Sequence, residues 1–338
     1  LTRRIACGSP TRGCLCSETG SLGARLETLR TRKATETDLR ALAGAFSALA
    51  LEAHFKDVGG GAISLMAWAE ALDLWRSVGD RDQEAGTLAG RAETLALLGK
   101  LDAAESDLLT CVGLRDAGHG VVLARAEAYC RLGELRTKMG RFDDARRALD
   151  ISLTLRQNAV EPAGIADCLQ ALGILALAEH QCGLARQCLT DAVHRNAQLG
   201  RRESWAAALG DLGDVALAEG KLDEAGRLFG DGLSVWEPLD QNFWIGRFET
   251  RLAALALRRG ELDLARRQVQ SALTRLERSN GPVAQALPLM VMGDIARARA
   301  DRVSAELCYR RALTLRESAG LTPAIDETRR ALASLPAR

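Results

Sequence analysis

The sequence predicts an all-α chain of about seven stacked helical hairpins, and three observations carry that prediction. The first is a repeat. The stretch 209–236, LGDLGDVALAEGKLDEAGRLFGDGLSVW, sets two apolar-periodic segments around Gly220 and Lys221, and the same pattern recurs along most of the chain. The second is composition. Apolar residues make up 47% of the chain but aromatic ones only 4%, so a core must be built mainly from Ala and Leu. With Arg and Glu these are the strongest helix formers. The third is punctuation. Hairpin turns fall at Gly59, Gly99, Gly140, His180, Gly220, Gly260 and Ala300, spaced by 40 or 41 residues.

Within each period the side-chain sizes keep phase. Seven positions before the turn stands a small residue: Ala92, Gly133, Gly173, Gly213, Ala253 and Gly293. Five positions after it comes Ala104, Ala145, Ala185, Ala225, Ala265 and Ala305, and four further a large one: Leu108, Leu149, Leu189, Phe229, Val269 and Tyr309. A second small residue follows at Cys111, Ser152, Ala192, Gly232, Ala272 and Ala312. Antiparallel helices approach closely where small side chains meet, and large ones fill the flanking space. Glycine at the turn supplies the left-handed backbone that ends the first helix. A single hairpin cannot bury its apolar face, so neighbours must stack.

The links between hairpins are short and rich in breakers. Gly79, Gly200 and Gly320 stand where the preceding helix stops, and Pro162 and Pro282 fit the first turn of the next. The expected organisation is an irregular segment over 1–20, a partial helix of a truncated repeat over 21–35, seven hairpins over 36–319, and a capping helix and tail over 320–338. Arg329, Arg330 and Arg338 give that cap a polar outer face. The chain begins with Leu, and the expectation is that a further segment precedes it.

Leu209, the Leu212-Gly213 pair, Ala225, Phe229 and Gly232 resemble the tetratricopeptide repeat, and Leu169, Leu172-Gly173, Ala185, Leu189 and Ala192 repeat the resemblance. So do Leu289, Met292-Gly293, Ala305, Tyr309 and Ala312. The fold this implies is a right-handed α-solenoid. Two departures stand out. The period is near forty rather than the family's thirty-four, which implies longer helices or loops, and the family's proline after the second helix is mostly missing, with Pro238 nearest to it. The long, Ala/Leu/Arg-rich version resembles the repeat arms at the C-terminal ends of bacterial signalling proteins. These include nucleotide-switch ATPases, LuxR-like activators and serine/threonine kinases.

Several function classes are excluded. Net charge is +1 with 26% charged residues, which lacks the concentrated positive excess a nucleic-acid binder needs. No apolar run reaches the roughly eighteen residues of a membrane span. The pairs Gly99-Lys100 and Gly220-Lys221 lack the rest of a phosphate loop, and no nucleophile elbow or dinucleotide fingerprint is present. His180, Cys182, Cys188 and His194 are metal-ligand types, but Cys188 and His194 point about 120° apart on one helix and cannot converge. Cys7, Cys14 and Cys16 lack a fourth ligand. The nine cysteines, odd in number and irregularly spaced, read as reduced thiols of a cytoplasmic protein. No cofactor and no metal is expected.

Two features read as binding surface. One position after each small residue come Glu93, Glu134, Ile174, Asp214, Ala254 and Asp294, an interrupted acidic row on the face that lines the groove in tetratricopeptide arrays, with Arg131 beside Glu134. The competing reading is a solvated polar face. The second is Trp236, Phe243, Trp244 and Phe248 with Arg247 and Arg251 interleaved, for which core packing competes with a partner contact. The expected function is a non-catalytic scaffold that presents a concave groove to a protein or peptide, with no nucleic-acid or membrane partner. The alternative is the inducer-sensing arm of a larger bacterial regulator whose effector domain lies N-terminal to this sequence. The oligomeric state and the ligand are not legible.

Overall fold

The computed structural model describes residues 20–24, 27–28, 35–54, 60–118, 121–277 and 282–336. The described residues form helices without strands. Residues 1–19 of the expected irregular segment over 1–20, most of the partial helix over 21–35, the Gly59 turn and Arg338 lie outside them, while Gly20 is helical. The chain divides into two units, 1–120 and 121–338.

The first unit holds two hairpins: α1 (Glu36–His54) on α2 (Gly60–Ser77), and α3 (Arg81–Leu97) on α4 (Leu101–Ala117). Leu42, Phe46 and Leu49 of α1 meet Ile63, Trp68 and Trp75 of α2 in one buried cluster. Gly90 of α3 leaves the space that the Trp68 indole fills, and Trp68 Nε1 donates to Thr94 Oγ1 at 3.2 Å.

The second unit stacks five hairpins and a final helix. They are α5 (Val122–Lys138) with α6 (Phe142–Asn158), α7 (Pro162–Ala178) with α8 (Cys182–Gln198), and α9 (Arg202–Ala218) with α10 (Leu222–Trp236). Then come α11 (Asn242–Arg258) with α12 (Leu262–Glu277), α13 (Ala286–Ala298) with α14 (Arg302–Ser318), and the capping α15 (Thr322–Ala333). Pro162 opens α7 as the sequence suggests, whereas Pro282 opens a short 3-10 segment, Pro282–Gln285, one turn ahead of α13. The length of the period resides in the helices: α5 to α9 each run 17 residues, joined by turns of three. Longer loops are therefore not its source.

The repeated sizes have a direct packing role. Each small residue of a first helix faces the large residue of its partner: Gly133 faces Leu149, Gly173 faces Leu189, Gly213 faces Phe229 and Gly293 faces Tyr309. A methyl group at position 133 would lie 2.6 Å from Leu149 Cγ, inside van der Waals contact. Where the small residue is Ala253, the partner in the same cluster is the smaller Val269. The alanines at 104, 145, 185, 225, 265 and 305 are all fully buried.

Every described turn between α-helices of the second unit except that before α13 carries one left-handed residue. Besides glycines these are Val160, His180, Asp240 and Ala300, so the His180 and Ala300 turns adopt the backbone that glycine adopts elsewhere. At the α9–α10 turn, Lys221 N donates to the Ala216 carbonyl at 2.8 Å and closes the helix end.

Charges then tie one hairpin to the next. Arg146 of α6 pairs with Glu179, and Arg186 of α8 pairs with Glu219 at 2.6 Å and Glu224 at 2.7 Å. One hairpin later the polarity reverses: Arg259 reaches back to Asp223 at 2.7 Å, and Arg299 to Asp263. Within the second unit the Gly140 turn also abuts Pro323 of α15, bringing its first hairpin against its capping helix.

Candidate partner-binding groove

The first helices α5, α7, α9 and α11 share one face, and the 40-residue period aligns their side chains in rows. One row is Glu127, Asp167, Ala207 and Arg247; another is Glu134, Ile174, Asp214 and Ala254. Along this face lies a cavity of about 390 Å³ in the second unit. From α5 it is lined by Glu127, Cys130, Arg131 and Glu134, the i, i+3, i+4, i+7 stripe of one helix face. From α7 it takes Asp167, Gln170, Ala171 and Ile174, the same stripe one period on. Glu203, Ser204 and Ala207 of α9 continue it, and Trp236 and Trp244 close one end.

Most of the groove's charges are already committed. Arg131 Nε donates to Glu127 at 2.8 Å, and the buried Arg156 of α6 also pairs with Glu127. Burial resists ionisation of Glu127, but Arg131 and Arg156 outweigh it and hold its carboxyl below the ordinary value. Arg201 Nη1 donates to Asp167 at 2.9 Å. Below the face, Gln170 Nε2 donates to Asp211 at 2.7 Å, and Arg251 Nη2 donates to Asp211 at 2.6 Å and to Asp214 at 2.7 Å. This polar ladder links α7, α9 and α11.

Three groups are left uncommitted. Glu134 and Glu203 are exposed, and neither has an ion-pair partner among the described residues. Crowding by the surrounding protein, opposed by Lys138 and reinforced by Glu127, pushes the Glu134 carboxyl up although solvent reaches it. Arg247 stands 5.1 Å from the Trp244 ring centroid and 5.8 Å from that of Phe243, and it pairs with no carboxylate among the described residues. Crowding and then the Arg251 charge hold it below its ordinary pKa.

The sequence-derived candidates therefore separate. Glu134, Arg131 and Trp244 line one cavity, with Arg247 over Trp244. Asp214 and Arg251 do not offer free charges: Arg251 is buried and forms the ladder with Asp211 and Asp214. Asp294 is likewise engaged, accepting from Tyr309 Oη at 2.7 Å and from Arg297 at 3.2 Å. Within the acidic row, Asp214 is thus neutralised by Arg251 of the next hairpin and Asp294 by Arg297 of its own helix. Glu93 is exposed on α3 in the other unit. The aromatic cluster divides too. Phe248 is core and Trp236 nearly so, while Trp244 is half-buried and stacks on Trp236 with centroids 4.8 Å apart.

Sequence reasoning missed Glu127, Cys130, Asp167, Gln170, Glu203 and Ser204. Their signal was the repeat itself, since positions 127, 130 and 131 recur at 167, 170 and 171. Among the described residues no cluster of three or more metal-ligand types converges, and no helix is long and apolar enough to cross a membrane. The six described cysteines are free thiols.

Residues 126–158, the α5–α6 hairpin, match the tetratricopeptide repeat family model. No curated protein matches the chain. Solved structures of similar fold include the Rap conjugation gene regulator of plasmid pLS20 in complex with the Phr* peptide. It is 13% identical with a TM-score of 0.68, over 94% of this chain and 80% of that one. A Rap protein complexed with Competence and Sporulation Factor is 12% identical with a TM-score of 0.59, over 95% and 99%. Aspartyl phosphate phosphatase F from Bacillus subtilis is 13% identical with a TM-score of 0.58, over 95% and 76%. At these identities the likeness is one of fold. The match makes 126–158 a tetratricopeptide repeat, and the paired helices of the described residues share the fold of these solved structures.

Proposed function

We propose that the chain is a non-catalytic scaffold that holds a peptide, or an extended segment of a protein, in the groove formed by α5, α7, α9 and α11. The observation that carries this reading is the Trp236–Trp244 stack at the end of an open cavity whose other walls leave Glu134 and Glu203 uncommitted. A half-buried indole is a low-entropy contact surface, and aromatic and Arg side chains dominate binding energy at interfaces. The Phr* peptide bound by the pLS20 regulator, a protein of similar fold, supports a peptide as the occupant.

The nucleophiles present argue for binding rather than chemistry. Cys130 lines the cavity, and a hydrogen bond with Cys168, followed by burial, pushes its thiol up, whereas Cys168, which that bond pulls down, is buried and does not line the cavity. Ser204 lines the cavity with no histidine among the described lining residues. That the same relative is a gene regulator favours a second reading, in which the solenoid is the peptide-sensing arm of a regulator.

The test is retention of a random pentapeptide pool by the purified chain, compared with Trp244→Ala. The variant is expected to keep its helical circular dichroism and melting profile and to lose about tenfold in retention, the scale of one aromatic anchor. Equal retention by both proteins would remove this groove as the site.

A further inference from the structure

Resting on that reading, we infer that the groove is bipolar: it takes a peptide that presents a cation to Glu134 and Glu203 and a carboxylate to Arg247. The charge on the shared face inverts along the row Glu127, Asp167, Ala207, Arg247, from carboxylates on α5 and α7 to a guanidinium on α11. At the acidic end Arg131, Arg156 and Arg201 already satisfy Glu127 and Asp167, which leaves Glu134 and Glu203 as the two carboxylates open to a partner. One cavity is lined by both, Glu134 from α5 and Glu203 from α9, so cationic groups of one bound peptide are drawn to them.

At the other end Arg247 is held by rings, not by an anion. Phe243 and Trp244 fix its position, and they meet edge to face at 5.5 Å. A guanidinium positioned in this way, hemmed in but reached by solvent, offers its parallel N–H pair to a carboxylate with little further ordering. Nearby Asp211 and Asp214 together carry one more charge than Arg251 neutralises. That surplus disfavours a doubly charged phosphate at Arg247 and leaves a singly charged carboxylate as the anion that fits. Trp244 lies between the two ends and seats an apolar or aromatic residue of the same peptide.

The full chain is offered four matched pools of random pentapeptides, with amino ends free or acetylated and carboxyl ends free or amidated, and retained sequences are read by mass spectrometry. At the acidic end the expected result is enrichment of Lys or Arg by about threefold, or loss of about tenfold in retention on acetylation. The first assigns a side chain to Glu134 and Glu203, and the second the amino terminus. At Arg247 the expected result is about tenfold loss on amidation, or enrichment of Asp or Glu by about threefold, with the same division between terminus and side chain.

Arg247→Gln erases the carboxylate preference and keeps the cation preference. Glu134→Gln with Glu203→Gln does the reverse. Peptides retained without these preferences, or preferences that survive the substitutions, overturn the bipolar groove and leave peptide binding standing. A wild-type chain that retains no peptide overturns both.

Discussion

Replacing Arg251 by Met should be among the most damaging single changes in the second unit, and the structure gives its size. Arg251 is 7% exposed and donates to Asp211 and Asp214, which are 12% and 33% exposed at the side chain. Methionine fills much of the volume and removes the charge, leaving two neighbouring carboxylates with no cation between them. Breaking a buried ion pair by removing one partner costs about 3–5 kcal/mol. The partial exposure of Asp214 screens its share, so about 3 kcal/mol is expected.

The loss should depend on pH with a definite sign. Burial already pushes the Asp214 carboxyl above its ordinary value against the pull of Arg251. Without Arg251 it rises further, so the folded state binds more protons than the unfolded state across that interval. Stability therefore falls as pH rises through it, and the penalty is relieved toward and below the unfolded carboxylate value near 4. Urea unfolding of both proteins at pH 7.5 and pH 5 measures this. Asp211→Asn with Asp214→Asn in the Arg251→Met background should restore most of the loss at pH 7.5. A single-variant loss below about 1 kcal/mol would refute the account of the ladder as a buried charge balance. So would a gap that widens at pH 5.

Two further outcomes follow from the packing. Val160 holds φ +50 as a β-branched residue at an exposed turn, so Val160→Gly should raise the unfolding free energy measured in urea by about 1 kcal/mol, net of the added unfolded-state freedom. Gly213→Ala drives a methyl group into the Phe229 ring and should cost about 1–3 kcal/mol. Combined with Phe229→Val it reproduces the Ala253–Val269 pairing, and the double variant should lie at least about 1 kcal/mol above the sum of the singles in a thermal-unfolding cycle.

The face-to-face packing was legible because it is local to one hairpin. A glycine seven residues before a turn and an aromatic nine after it, as with Gly213 and Phe229 or Gly293 and Tyr309, meet by helix geometry alone. The hairpin turns from Gly99 onward were legible for the same reason, down to His180 and Ala300 taking the place of glycine. Trp244 and Arg247 could be picked out because aromatics are scarce in this chain.

The fate of the acidic row was not legible. Asp214 and Arg251 are 37 residues apart, on successive hairpins. Whether such groups meet depends on the rise and rotation from one hairpin to the next, and on which rotamer the long arginine adopts. A period of forty fixes neither quantity. From sequence alone came the hairpins, their number, their turns and the small-against-large contacts, because each is set within about forty residues of chain. Only the tertiary structure decided which charges cancel within the stack. Pairing between hairpins is a matter of distances across space, and those distances leave Glu134, Glu203 and Arg247 uncommitted.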